Sequence, residues 1–206
     1  MKKLISLLFI ICIQMTGQNL SKEDFQKNRL DLGITFLLKG ENEKAVKLFH
    51  HAHHVIPNNE VGQIALKKYD SLKPIIRKKL KNDLVGNWKK IYKGPNWAIP
   101  ENDLVGEMIT INSEEILFFE LYKKAKEWCL VRTEPIIFCK KVEIEKQYIE
   151  YDASFTEFTY KNNDVWQYYI DKNSGLLKTY LVGSELENGV AEIICGSISY
   201  EYFKLE

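Results

Sequence analysis

Four side chains able to bind a metal crowd together as His50, His51, His53 and His54, and they are all the histidines the chain contains. On a helix His50 and His54 lie one turn apart, as do His51 and His54, a spacing at which neutral imidazoles grip a transition metal. No cysteine or carboxylate completes a ligand set nearby. The competing reading is a solvated histidine face that titrates near about pH 6.5.

Catalytic chemistry is poorly supplied. The chain after His54 has no histidine, so neither a Ser-His-Asp nor a Cys-His system can be assembled there. The carboxylate pairs Glu114–Glu115, Glu143–Glu145 and Glu185–Glu187 fall on segments where acids alternate along strands and face solvent. There is no glycine-rich phosphate loop. The pattern points away from an enzyme and asks for no cofactor. Among the cysteines, Cys129, Cys139 and Cys195 either supply one disulfide and an odd thiol or serve as small buried apolar residues, and no Cys-x-x-Cys occurs.

Charge is unevenly spread. Lys67 to Lys93 carries ten basic and two acidic residues, whereas Gly94 to Glu206 carries eleven and twenty. The basic stretch is a solvated helix face, a phosphate or anionic-surface site, or a band received by the acidic half of the same chain. An exported protein seldom meets nucleic acid, and lysine outnumbers arginine here without the aromatic interleaving of single-strand binders. Nucleic acid is therefore not an expected partner.

The segments that position these residues can be read in order. Lys2 and Lys3, the apolar run Leu4 to Ile13 and the small pair Thr16-Gly17 form a secretory signal over residues 1–17, which predicts a periplasmic or extracellular location. Cys12 opens the alternative of a lipoprotein, although Phe9-Ile10-Ile11 lacks the small residues of such a site. No segment of the mature chain is a transmembrane candidate. Residues 21–83 read as helical: one helix from a Ser21 cap to a stop at Gly40, a second over 42–55, a third over 60–71 and a short fourth over 74–80 opened by Pro74.

Leu32, Gly33, Phe36, Gly40, Ala45, Phe49, Ala52 and Pro57 fall at the spacing of the tetratricopeptide repeat, and residues 21–57 resemble one such hairpin. Arg29 replaces the repeat's first aromatic residue. Gly33 and Ala45 let the helices approach closely, and Phe36 and Phe49 fill the gap between them. A second copy is absent, and one hairpin buries too little surface to stand alone. The resemblance implies a protein partner held through the helical unit, or a helical unit packed as a brace.

Residues 84–206 read as serial antiparallel strands, expected at 84–92, 106–111, 115–122, 127–132, 135–140, 145–152, 157–160, 165–171, 176–182, 190–195 and 197–205. The Asn188-Gly189 pair is the strongest hairpin signal among their turns. The fold class is α+β with the two kinds segregated, and the pattern of the second part fits an up-and-down antiparallel β-barrel, with a two-sheet sandwich as the alternative.

Gly86-Asn87-Trp88 resembles the first-strand signature of the lipocalins and lipocalin-like domains. That resemblance implies a barrel floor closed by Trp88 and covered by Lys204 from the last strand, with the loop around Trp97 at the open mouth. It implies inward faces carrying Phe118, Trp128, Tyr148, Trp166, Tyr168, Tyr180 and Tyr200, which suit a hydrophobic or amphipathic small molecule unless those rings fill the barrel themselves. The expected function is an exported, non-enzymatic binding or assembly protein of a bacterial envelope, and the alternative is a small-molecule carrier braced by the helices. The stretch from Leu84 to Tyr92 is expected to join the parts rigidly.

Overall fold

The computed structural model describes residues 21–92, 103–140, 156–187, 189–192 and 198–206. The expected export signal, Lys93, Trp97, Tyr148, Asn188, Cys195 and the strand expected at 145–152 lie outside the described residues. The chain divides into two compact units, Met1–Tyr69 and Asp70–Glu206. Helices lead and an antiparallel sheet follows, so the architecture is α+β. No helix among the described residues is long and apolar enough to cross a membrane.

The first unit holds α1 (Lys22–Leu38), α2 (Asn42–Val55) and the beginning of α3 (Glu60–Leu84). Ser21 caps α1 reciprocally: its Oγ accepts the Asp24 N–H at 3.0 Å and donates to the Asp24 carboxylate at 2.8 Å. At the other end Glu41 N–H reaches the Phe36 carbonyl and Gly40 N–H the Leu37 carbonyl, a Schellman closure that needs the positive φ of 76° at Gly40. Ala45, Val46, Phe49 and Ala52 form the buried stripe of α2. Gly33 lies under Phe49 so closely that a Cβ there would stand 2.6 Å from the ring.

Two expectations about the helices fail. First, α3 is continuous from Glu60 to Leu84 with Pro74 inside it, rather than two helices meeting at the proline. Proline removes one N–H and crowds the carbonyl four residues earlier, here that of Asp70. Leu72, Ile76 and Leu84 are buried and Leu80 packs on the core, all at four-residue spacing, so the apolar stripe runs through the proline without a break. Second, the histidine face is not simply solvated. His53 Nδ1 lies 3.1 Å from the Gly62 carbonyl and the His50 ring 5.2 Å from the Tyr69 ring, both partners being on α3.

Among the described residues the second unit contains the rest of α3 and nine strands: β1 (Gly86–Lys90), β2 (Leu104–Ile111), β3 (Glu115–Tyr122), β4 (Cys129–Pro135), β5 (Phe158–Thr159), β6 (Asp164–Ile170), β7 (Leu177–Leu186), β8 (Gly189–Glu192) and β9 (Ser199–Lys204). They form one curled antiparallel sheet, a half-barrel, in the order β4-β3-β2-β1-β9-β7-β6-β5. The last strand thus returns to lie beside the first. β7 is long enough to pair with β9 through Leu177–Tyr180 and with β8 through Gly183–Leu186.

The strand expected at 135–140 is not regular: β4 runs on to Pro135, and beyond it Ile136 N–H still reaches the Glu114 carbonyl and Ile137 N–H the Pro135 carbonyl. Contact with β5 is then made through the isolated Phe138–Phe158 bridge and the flanking bonds Cys139 N–H to Glu157 and Thr159 N–H to Ile137. The core on the inner face gathers Leu84, Trp88, Ile109, Ile111, Ile116, Phe158, Tyr160, Trp166, Tyr168, Leu177 and Tyr202.

Candidate functional site

Alternation of side chains across β1, β2, β3 and β9 decides what the half-barrel presents inward. Trp88 faces Ile109 across β1 and β2, and Ile109 faces Phe118 across β2 and β3. Two residues further along the same faces come Lys90, Glu107 and Glu120, with Glu107 and Glu120 directly opposite. Arg132 on β4 stands opposite Phe118. Polar and charged groups therefore enter the inner face at one end of the apolar core.

There they alternate with rings. The Arg132 guanidinium lies 4.0 Å from the Phe118 centroid and 5.3 Å from that of Tyr160. Tyr160 stacks on Trp166 at 5.8 Å, and Trp166 stacks on Tyr200 at 5.9 Å. Lys90 Nζ sits 4.0 Å over Tyr200 and binds Glu107 Oε2 at 2.7 Å. The result is a belt that runs from Arg132 through three stacked rings to Lys90 and Glu107. It borders a recess of about 240 Å³ whose lining includes Glu107, Phe118, Glu120, Arg132 and Tyr202 together with Met108, Phe119 and Val131 of alternate positions. Cations placed over ring faces are attracted by the ring quadrupole, most strongly where water is excluded.

Hydroxyls in and below the belt are donors. Burial pushes Tyr202, Tyr160 and Tyr168 above the usual phenol range, the last two sharing a hydrogen bond between their hydroxyls. All three keep their protons at physiological pH. Tyr92 is also raised, by burial and by its hydrogen bond to Glu107, and Tyr122 is raised by its bond to Glu120.

At the opposite end of the core, Trp88 is buried and donates its indole N–H to the Leu84 carbonyl at 2.8 Å, which ties the end of α3 to β1. Lys204 Nζ lies 5.3 Å from the Trp88 ring. Gly86, at φ 144°, leaves room for it, since a Cβ there would meet Lys204 Cε at 2.8 Å. On the flank of the sheet Arg77 lies over Phe138 and bonds the Cys139 carbonyl at 3.4 Å.

Of the rings expected to face inward, Phe118, Trp166, Tyr168 and Tyr200 come together on the inner face. Two do not. Tyr180 is opposite Gln167, out of step with the inward Thr179–Tyr168 pair, and stacks on Tyr169 across the outer face at 5.8 Å. Its hydrogen bond is the chief reason the Tyr169 hydroxyl is pushed up to about 12. Trp128 covers Gly106, whose face is opposite that of Glu107. Trp97 and Tyr148 lie outside the described residues.

The remaining candidates separate clearly. The His50 and His54 rings approach to 4.0 Å, and His54 Nδ1 lies 2.9 Å from the His50 carbonyl. A carbonyl only accepts, so this nitrogen carries the proton. Among the described residues no group of three or more His, Cys, Asp or Glu side chains is placed to hold a metal ion. Cys129 is exposed, and Cys139 is buried with its thiol 3.6 Å from Glu185 Oε2. Glu185 is not a plain solvent-facing acid, because Thr159 also donates to it at 2.7 Å. Of the basic stretch, Lys90 meets a carboxylate of the sheet, whereas Lys79 pairs with Asp83 of its own helix at 2.5 Å.

Within the helical unit Leu32 and Leu38 are exposed, Gly33, Ala45, Phe49 and Ala52 are buried, Phe36 is half-buried between the ammonium groups of Lys39 and Lys44, and Gly40 and Pro57 lie at exposed turns. One residue with no local signal organises this unit. Gln26 is fully buried, donates to the Ala52 carbonyl at 2.7 Å and the Ile56 carbonyl at 2.9 Å, and accepts from Asn59, which in turn caps α3 at Gly62. Comparison of the chain with protein-family models, with curated proteins and with solved structures finds no match.

Proposed function

We propose that the chain is an exported, non-enzymatic binding or assembly protein of a bacterial envelope, in which a tetratricopeptide-like hairpin contacts a protein partner and a lipocalin-like barrel serves as its body. The observation that carries this reading is the filled inner face of the half-barrel. Trp88, Phe158, Tyr160, Trp166, Tyr168 and Tyr202 are all buried there, and among the described residues the recess beside Phe118 and Tyr202 is about 240 Å³. Pockets for drug-sized ligands run from roughly 300 to 1,000 Å³, so this recess favours the barrel as a body over the carrier alternative. The helical unit meanwhile exposes Leu32 and Leu38 on α1.

A photo-crosslinking amino acid placed in turn at Leu32, Leu38 and Tyr180 in cells of the source organism tests the assignment. The reading expects one protein to be captured from both helical positions and not from Tyr180, and the capture from Leu38 to be lost in Leu32→Asp. Capture from Tyr180 alone would remove the helical unit from the function. The export part is tested separately by whether the N-terminus of the mature protein begins after Gly17.

A further inference from the structure

An antiparallel sheet that packs one face on a core ordinarily turns polar residues to the other. The outer face of the half-barrel departs from this over several adjacent strands. Because Trp88, Ile109, Phe118 and Tyr202 face the core, their neighbours Lys89, Met108, Phe119 and Phe203 face outward. Strand pairing sets these in one row that Leu130 completes: Leu130 opposite Phe119, Phe119 opposite Met108, Met108 opposite Lys89, and Lys89 opposite Phe203. Leu130 is 54% exposed and Phe203 39%. One step along the same face of β3 comes Leu121, which with Trp128 crowds the open side of Gly106.

At the Leu121 end of this patch the β3–β4 connection carries the exposed Lys123, Lys124 and Lys126, with Glu127 as the acid beside them. The turn is fixed through its backbone, Lys123 N–H bonding the Asp103 carbonyl and Ala125 N–H the Tyr122 carbonyl. Among the described residues no hydrogen bond or ion pair engages the side chains of Lys89, Lys123, Lys124 or Lys126. Contiguous apolar side chains on a surface mark a place of contact, and a tryptophan with long basic chains at the border suits the boundary between water and lipid. The outer face of a curled sheet is convex. It offers no cleft to a small molecule, whereas a layer of headgroups deforms to meet it.

We propose that this outer face docks on an anionic phospholipid surface, with Leu130, Phe119 and Trp128 entering the headgroup region and the four lysines meeting its phosphates. Attraction of this kind fades within a Debye length, so the charges at the patch decide it rather than the net charge of the chain. The contact lies wholly in the second unit, and it stands or falls apart from the helical contact proposed above.

The test is co-sedimentation of the full chain with vesicles of phosphatidylcholine alone or with about 30 mol% phosphatidylglycerol added. Expected are binding to the anionic vesicles, little to the neutral ones, and release at high salt. Lys124→Glu/Lys126→Glu should weaken anionic binding at least about tenfold. Leu130→Asp should weaken it about fivefold with every lysine in place. The variants share one N-terminus, so any contribution from the apolar run Leu4 to Ile13 cancels between them. Equal binding to both kinds of vesicle overturns the proposal. So does undiminished binding by Leu130→Asp, which would make the lysines readers of any polyanion, nucleic acid included. A dimer in lipid-free sedimentation velocity that Leu130→Asp dissociates overturns it too, by assigning the face to a second copy. Should Leu130→Asp fail to fold, brominated phosphatidylglycerol decides on the unaltered chain: quenching of tryptophan emission is expected, and its absence defeats the proposal.

Discussion

Replacing Pro74 by alanine separates two incompatible accounts of the helix that precedes the sheet. In the continuous α3, Pro74 is an interior residue, and a proline there is about 3 kcal/mol less favourable than alanine because it lacks the N–H and crowds the preceding turn. Pro74 is exposed, so its removal sacrifices little packing. The unfolded chain gains freedom when proline is lost, which offsets roughly 0.4–1 kcal/mol of the benefit. The net expectation is a protein about 2 kcal/mol more stable, seen as a rise of roughly 6 °C in Tm by circular dichroism at 222 nm. Were Pro74 instead the first residue of a separate helix, its fixed φ and missing N–H would suit that position, and alanine would be neutral or harmful. An unchanged or lowered Tm therefore refutes the continuous helix. Hydrogen exchange gives an independent reading on the unaltered protein: the amides of Ile75, Ile76 and Arg77 are protected inside a helix and exchange freely in a first turn.

Gln26→Leu should lower stability by about 3 kcal/mol in urea unfolding, because it strands the Ala52 and Ile56 carbonyls and frees the Asn59 amide; a loss below about 1 kcal/mol would mean that water replaces the amide easily. The Asp171 carboxyl is held below its usual range first by the hydrogen bond from Lys178 and then by the Ser174 and Asn173 N–H groups. A depressed folded value stabilises above the unfolded value near 3.9, and that contribution is lost as pH falls below about 4. Lys178→Met should move the Asp171 carboxyl titration upward by NMR while the two backbone donors keep it under the unfolded value, and an unmoved midpoint would contradict the assignment of cause.

Where local chemistry decides the outcome, the amino-acid order is readable. Ser21, Gly40 and the small residues Gly33, Ala45 and Ala52 act through neighbours within a turn or through the adjacent helix, and they stand where the order places them. The strands containing Trp88, Ile116 and Tyr202 are likewise visible from alternation. Pro74 misleads because local propensity says stop, whereas a stripe of buried leucines and isoleucine that only the folded chain brings into register says continue. Tyr180 and Trp128 turn outward for a different reason. Alternation fixes which residues share a face but not which face is inner, and irregular pairing at Leu104/Gly106 and Val165/Trp166 resets the phase from one strand to the next. Gln26 leaves no trace at all, since a single polar residue on a helix looks the same whether solvated or buried against two carbonyls. The belt depends on five strands and a turn meeting, and so no local window contains it.

Stability alone does not explain why the belt is charged. Lys90 and Glu107 have side chains only 16% and 30% exposed, and removing both charges from water costs as much as their attraction returns in many proteins. Apolar residues of similar size would hold the same rings. This predicts an asymmetric double-mutant cycle. Glu107→Leu alone leaves Lys90 over Tyr200 without its carboxylate and should cost about 2 kcal/mol. Adding Lys90→Met should recover that loss or exceed it, giving a protein at least as stable as the original by urea unfolding. If the double variant is instead as unstable as the single one, the pair is a structural element of the sheet and its charge needs no ligand to account for it.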